Sequence, residues 1–276
     1  MPSLLAFFTP PSGGSPNANQ IDDLYKIVLY VALVVFVLVE GALLYALIRF
    51  RKRKGAVAAQ IRGNTRLEVG WTVAAAVILI ALAVVTFAKL SSIKNPPNSG
   101  PNGDALASTG GHLLYASTER KLPPNGKSLN IQVIGRQYIW QYVYPGASEP
   151  DGLGAPYSYE KMVVPTETTV TLDVVAADVV HEWSVPALGG KVQAVPGYHN
   201  YTWFKATKPG VYRGQCSFIC GRGHARMFAV VEAVPPAQFD AWLANQKQQL
   251  AAANQEAKVA REKLSKQAGA GQVENP

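Results

Sequence analysis

The chain has 276 residues, of which 48% are hydrophobic and only 16% charged, with a formal net charge of +8. That length holds one or two domains of ordinary size, and so apolar a balance points to a membrane protein with a soluble part. The basic excess is local: seven Lys and Arg and no acidic residue lie between Arg49 and Arg66, joining two apolar stretches, so it marks membrane topology and not a nucleic-acid surface.

In chain order, residues 1–26 read as an N-terminal extracytoplasmic segment in which a cleavable signal peptide is poorly supported. The run Leu4 to Phe8 is too short for an apolar signal core and no basic residue precedes it. Ile27 to Ile48 is apolar except for Glu40, and Val69 to Leu90 is broken only by Lys89 near its end. Each is about the 20 residues that cross a bilayer as a helix. The positive-inside rule places residues 49–68 in the cytoplasm, so the N-terminus and everything after Leu90 face outward. Glu40 costs of order 2.5–3.5 kcal/mol at the bilayer centre, which predicts that it faces a partner subunit and not lipid.

Residues 91–111, rich in Pro, Gly, Ser and Asn, read as a linker. Over 112–235 short β-branched and aromatic runs alternate with turn signals. The predicted strands are 129–134, 138–144, 168–175, 181–185, 201–206 and 227–234, which together indicate a β-sandwich or barrel. Dinucleotide fingerprint, phosphate-binding loop and nucleophile elbow are absent from the sequence. From Pro236 the composition turns to Ala, Gln, Lys and Glu, predicting a helical tail over 236–276, regular from Gln238 to Lys266 and polar nearly all round past Leu243.

The chemistry concentrates in Cys216-Ser-Phe-Ile-Cys220-Gly-Arg-Gly-His224-Ala-Arg-Met227, which holds the only two cysteines. Thiolate, imidazole and thioether together are the ligand set of copper. One copper needs a single thiolate, so two at this spacing suggest sulfurs bridging a copper pair. The alternative is a local disulfide, which an exported domain permits but which explains neither the histidine nor the methionine. A second nitrogen ligand must come from His112, His181 or His199. His181, in Asp178-Val-Val-His-Glu-Trp-Ser-Val-Pro186 on a predicted strand, is the choice; His112 ends the linker and His199 sits in a turn, neither near another ligand type. Shared thiolates spread an oxidation change over two ions, which suits a closed relay of single electrons.

These residues resemble subunit II of the haem–copper cytochrome c oxidases, over roughly residues 20 to 245 in one continuous order. Besides the copper loop and the His181 segment, the resemblance is carried by Gly135-Arg-Gln137-Tyr-Ile-Trp140-Gln-Tyr142-Val-Tyr144 and by Lys191-Val-Gln-Ala194-Val-Pro196-Gly197. It implies a transmembrane helical hairpin followed by an all-β, cupredoxin-like Greek-key domain. Cys216 and Cys220 would bridge two coppers, His181 and His224 would bind one each, and Met227 and the backbone carbonyl of Phe218 would be the weak ligands. Electrons would arrive from cytochrome c, with Tyr138 and Trp140 in their path, and leave for haem in subunit I, where oxygen is reduced with proton pumping. Subunit III is a further expected partner, and no haem is bound by this chain. Glu68, in Glu68-Val-Gly-Trp71-Thr72, would stand at the mouth of a proton pathway; a simple helix-dipole partner is the other reading of that carboxylate. The expected location is the cell membrane of a bacterium, with the copper domain outside.

The sequence also departs from the family pattern. Phe218 replaces a glutamate that helps bind magnesium or manganese, so that carboxylate ligand is lost. Gln193 and Tyr198 replace an aspartate and an arginine near the same interface. Tyr138 stands where tryptophan is common. Residues 91–235 carry twelve Lys plus Arg against ten Asp plus Glu, so no acidic docking patch for a basic cytochrome stands out. A membrane-tethered copper carrier or assembly protein is the alternative function.

Overall fold

The computed structural model describes residues 8–9, 11, 13–51, 55, 57, 60–100, 121–146 and 155–270, with side chains as far as 265. Two long helices come first: α1 spans Pro16–Arg49 and α2 spans Thr65–Lys94. Both outrun the apolar stretches within them, α1 mainly at its start and α2 at both ends. α1 opens with a proline in its first turn, where the missing N–H costs nothing. α2 opens on Asn64, whose side chain accepts from the Leu67 N–H at 3.2 Å, while Glu68 Oε1 accepts from the Asn64 N–H at 3.3 Å. That reciprocal cap is the dipole-partner role that the sequence allows for Glu68.

The β domain follows as β1 (Leu129–Arg136), β2 (Ile139–Val143), β3 (Tyr157–Tyr159), β4 (Lys161–Pro165), β5 (Thr169–Ala176), β6 (His181–Ser184), β7 (Lys191–Ala194), β8 (Asn200–Lys205), β9 (Gly210–Gln215) and β10 (Phe228–Val234). One sheet has the order β3-β2-β1-β5-β8, a second β4-β10-β9, and β6 and β7 form a separate hairpin. β1 with β5 and β4 with β10 pair in parallel; the other pairs are antiparallel. Alternation along β1 and β2 sends Ile131, Val133, Trp140 and Tyr142 inward to meet Met162, Val164, Ala229 and Val231 of the second sheet. Each buried Ile, Val or Met among them contributes about 1.5–3 kcal/mol. Tyr144 ties the layers together, its hydroxyl accepting from the Val163 N–H at 2.7 Å and donating to the Val163 carbonyl at 2.9 Å.

The hairpin and the domain share a joint. Ser15 Oγ accepts from the Lys205 N–H at 3.0 Å, and Asn17 Nδ2 donates to the Trp203 carbonyl at 2.8 Å. The Trp203 indole N–H is shared between the Ile93 and Lys94 carbonyls at the end of α2. Beyond α2, Ser99 Oγ accepts from the Thr169 N–H and Gly100 N–H donates to the Glu167 carbonyl, so this end of the expected linker lies on the domain. Residues 101–111 and His112 lie outside the described residues.

α3, Pro236–Ala270, closes the chain. Its first turns are rooted by Phe239, Trp242 and Leu243 on the core, with the Trp242 ring 4.9 Å from that of Tyr144. From there its residues to 265 are almost all exposed.

Candidate metal centre

Three segments distant in sequence converge at one end of the domain: the β1–β2 turn, the start of β6, and the loop between β9 and β10. β9 delivers Cys216 as it ends, and a short 3-10 turn, His224–Arg226, brings the loop back into β10. Cys216 N–H donates to the Met227 carbonyl at 2.9 Å, closing the loop at its neck. His181 is the first residue of β6 and is fully buried.

The donor atoms face one another. The sulfurs of Cys216 and Cys220 are 3.9 Å apart and both cysteines are free. A disulfide needs about 2.05 Å, so the bridged alternative does not occur. His181 Nδ1 lies 4.0 Å from Cys216 Sγ, and His224 Nδ1 lies 3.7 Å from Cys220 Sγ. The Phe218 carbonyl oxygen is 3.2 Å from Cys216 Sγ, and the buried Met227 Sδ is 4.0 Å from Cys220 Sγ. Each sulfur therefore has its own imidazole and its own weak donor. Sulfurs too far apart to bond and too buried to be solvated, with two imidazole nitrogens and a thioether turned toward them, fit soft metal ions shared between thiolates.

Burial first, then the neighbouring Cys216, pushes the Cys220 thiol up to about 11. Metal uptake must therefore release a proton from this loop, as thiolate coordination requires.

Asp178 is the residue that sequence reasoning passed over, although it stands three positions before His181 in the segment singled out. Its Oδ1 faces His181 Nε2 at 2.8 Å and accepts from the Val179 N–H at 2.6 Å, while Oδ2 accepts from the Gln137 N–H at 2.7 Å. Burial alone would raise its pKa, but those hydrogen bonds together hold the carboxyl below the usual carboxylate range. In the tautomer whose Nε2–H donates to the ionised Asp178, His181 presents Nδ1 to the sulfurs as a lone-pair donor. Gln137 braces the other side, its Nε2 donating to the Cys220 carbonyl at 2.7 Å.

Trp140 is fully buried with its ring 5.8 Å from that of His181, and Tyr138 lies against the loop at the surface. Backbone at Gly223 passes so close to the Tyr138 ring that any Cβ there would collide with it, which is why the loop reads Gly-Arg-Gly at this point. Phe218 turns its side chain outward, 41% exposed, while its carbonyl turns in. His199 belongs elsewhere, its Nδ1 2.7 Å from Asp173 Oδ1. Glu68 is at the far end of α2, remote from the cluster.

Residues 4–89 match the description "Cytochrome C oxidase subunit II, transmembrane domain", and residues 156–234 match "Cytochrome C oxidase subunit II, periplasmic domain". The probable cytochrome c oxidase subunit 2 of Rickettsia bellii (strain RML369-C) is 30% identical, the alignment covering 92% of this chain and 88% of that protein. The chain belongs to the cytochrome c oxidase subunit II family. Other members of that family that it resembles are the subunits 2 of Arabidopsis thaliana, 31% identical over 84% of this chain and 86% of that one, and of Cereibacter sphaeroides, 32% identical over 83% and 77%. Among solved structures, the periplasmic domain of subunit II of cytochrome oxidase of Bradyrhizobium japonicum is 34% identical, covering 44% of this chain and 95% of its own, with a TM-score of 0.41. As a subunit II, the chain is a membrane component of an oxidoreductase complex, with its cupredoxin-like domain outside the membrane.

Proposed function

We propose that this subunit accepts single electrons from a separate donor, cytochrome c in the family's usual pairing, and relays them to haem in subunit I, where oxygen is reduced to water with proton translocation. The observation that carries the reading is the mutual facing of two unbonded thiols, two imidazoles, a thioether and a carbonyl in a buried loop. His181, Cys216, the Phe218 carbonyl, Cys220, His224 and Met227 would hold a copper pair. When bound, it supplies a one-electron relay whose charge change is spread over two ions.

The chain's own residues do the rest. Asp178 holds the His181 tautomer, Gln137 pins the Cys220 carbonyl, and Met227 and Trp140 exclude water from the sulfurs. Tyr138, at the surface and against the loop, is the point of electron arrival, and Trp140 lines the path beside His181. Glu68 serves proton uptake from the cytoplasmic side besides capping α2. Phe218 leaves the interface with subunit I without a carboxylate for a divalent ion. Subunits I and III are the proposed neighbours, in a bacterial cell membrane.

The test uses the oxidase isolated from membranes. The expected result is two coppers per copy of this chain with a mixed-valence EPR signal, lost in Cys216→Ser together with cytochrome c oxidation. A single labile Cu(I) would favour a copper carrier instead. Normal turnover in Cys216→Ser would end the electron-transfer reading.

A further inference from the structure

Within the apolar run of α1, Glu40 is the single charged side chain, and it takes no part in the metal centre. It precedes Arg49, at the cytoplasmic end of α1, by nine residues. That is a rise of about 13–14 Å along the helix, which places Glu40 near the middle of a hydrocarbon core about 30 Å thick. Helix side chains tilt toward their own N-terminus, here the extracytoplasmic end, so the carboxylate leans away from the basic loop. The same interval is about two and a half turns, which puts Arg49 on the opposite face of α1.

Neither helix of the hairpin answers this charge. Lys26 is paired with Asp22, and Lys89 with Asp23 and Gln20, all at the outer end. Arg66 stands in the first turn of α2, at the cytoplasmic surface. The hydroxyls of Thr72 and Thr86 donate to carbonyls of their own helix, those of Glu68 and Leu82. Among the described residues the Glu40 carboxylate has no ion pair and no hydrogen bond.

Glu40 opens into a groove of about 440 Å³ between the two helices, lined also by Val35, Phe36, Val39, Ile78 and Leu82. Its walls are apolar apart from Glu40. Val35, Phe36 and Val39 are 42%, 59% and 51% exposed, so the hairpin alone does not cover them. Next in the chain, Gly41 has no atom within 4 Å of where a Cβ would stand, so a third helix can come close to this backbone. Lipid tails can fill an apolar groove, but they cannot compensate a carboxylate, and such a group persists at this depth where a protein partner does so.

We propose that the groove between α1 and α2 seats a transmembrane helix of a neighbouring oxidase subunit, and that this helix sets a basic side chain (Lys, Arg or His) against Glu40 near the bilayer midplane. Charge complementarity selects the partner: one negative charge in an otherwise apolar wall accepts a helix with a cation at that depth and penalises any that leaves it unpaired. Glu40 thereby fixes both which helix enters and how far along it sits. The inference goes beyond the proposed electron relay and rests only on assembly of the chain into an oxidase.

The experiment uses the oxidase purified in mild detergent through an affinity tag on this chain. Glu40→Gln keeps shape and hydrogen bonding but removes the charge; Glu40→Leu removes both. Each change makes the helix easier to insert in a membrane, so the hairpin still forms. Copper per chain checks that the outer domain is intact. Haem recovered per copy of this chain should fall at least about fivefold in both variants, because removing one member of a buried charge pair strands the other. A cryo-EM map of the wild-type complex should show a Lys, Arg or His of a neighbouring helix within about 4 Å of the Glu40 carboxylate. Wild-type haem recovery in Glu40→Gln would overturn the proposal in favour of a neutral hydrogen bond. Wild-type recovery in Glu40→Leu, or a map in which Glu40 meets only lipid, would overturn the docking itself. Absence of copper from the wild-type complex would defeat the electron-transfer reading and leave both measurements at Glu40 decisive.

Discussion

The metal cradle and the tail helix sit within one domain but are built on opposite principles. In the cradle, Cys216, Cys220, Met227 and His181 are buried and braced by hydrogen bonds from three separate segments. In the tail, three aromatic or aliphatic side chains fix the root, and the next twenty-odd residues overhang an open cleft. Rigidity is placed where the donor atoms face one another; the tail beyond its root is left solvated. The division follows from local stability, which tracks burial.

The sharpest way to break the contrast is to loosen the root. Phe239→Ala removes a buried ring that packs with Tyr144 and Trp242, and should cost about 3 kcal/mol. Urea unfolding of the detergent-solubilised chain, followed by tryptophan fluorescence, measures it. A loss under 1 kcal/mol would mean that the root is not part of the core. Next in size is Asp178→Asn, which keeps the shape but weakens the acceptor that orients His181. Metal affinity should fall about 10–100-fold while the fold persists, as copper titration against a competing chelator would read; unchanged affinity would relegate Asp178 to loop structure. Smallest is truncation after Gln248, which should change unfolding stability by no more than about 0.5 kcal/mol because it removes exposed helix. A larger loss would show that the overhang carries stability.

Much of this was legible in the sequence. The two apolar stretches, the copper loop and the strand beginning at His181 are strong signals because each depends on residue types that tolerate few alternatives. Other elements were silent for identifiable reasons. β9 reads Gly-Val-Tyr-Arg-Gly-Gln and lies partly exposed at a sheet edge, so it lacks apolar alternation. β7 has four residues and is paired only through β6. β4 ends in a proline and follows Glu160, whose φ is 60°, so it looks like a turn until β10 pairs with it. Met227, expected to begin a strand, instead ends the 3-10 turn, where its thioether reaches Cys220. Asp178 was in plain view, yet its role is tertiary: nothing local indicates that its second oxygen holds the β1–β2 turn.

The joint at Trp203 has a consequence for the working molecule. Because the first helix begins inside the outer domain and the second ends beneath the same indole, the domain is not a bead on a tether. Its height and heading above the lipid are set by the membrane helices themselves. Tunnelling rates fall steeply with separation, so the electron relay proposed above, mounted in this way, would keep a constant gap to its acceptor.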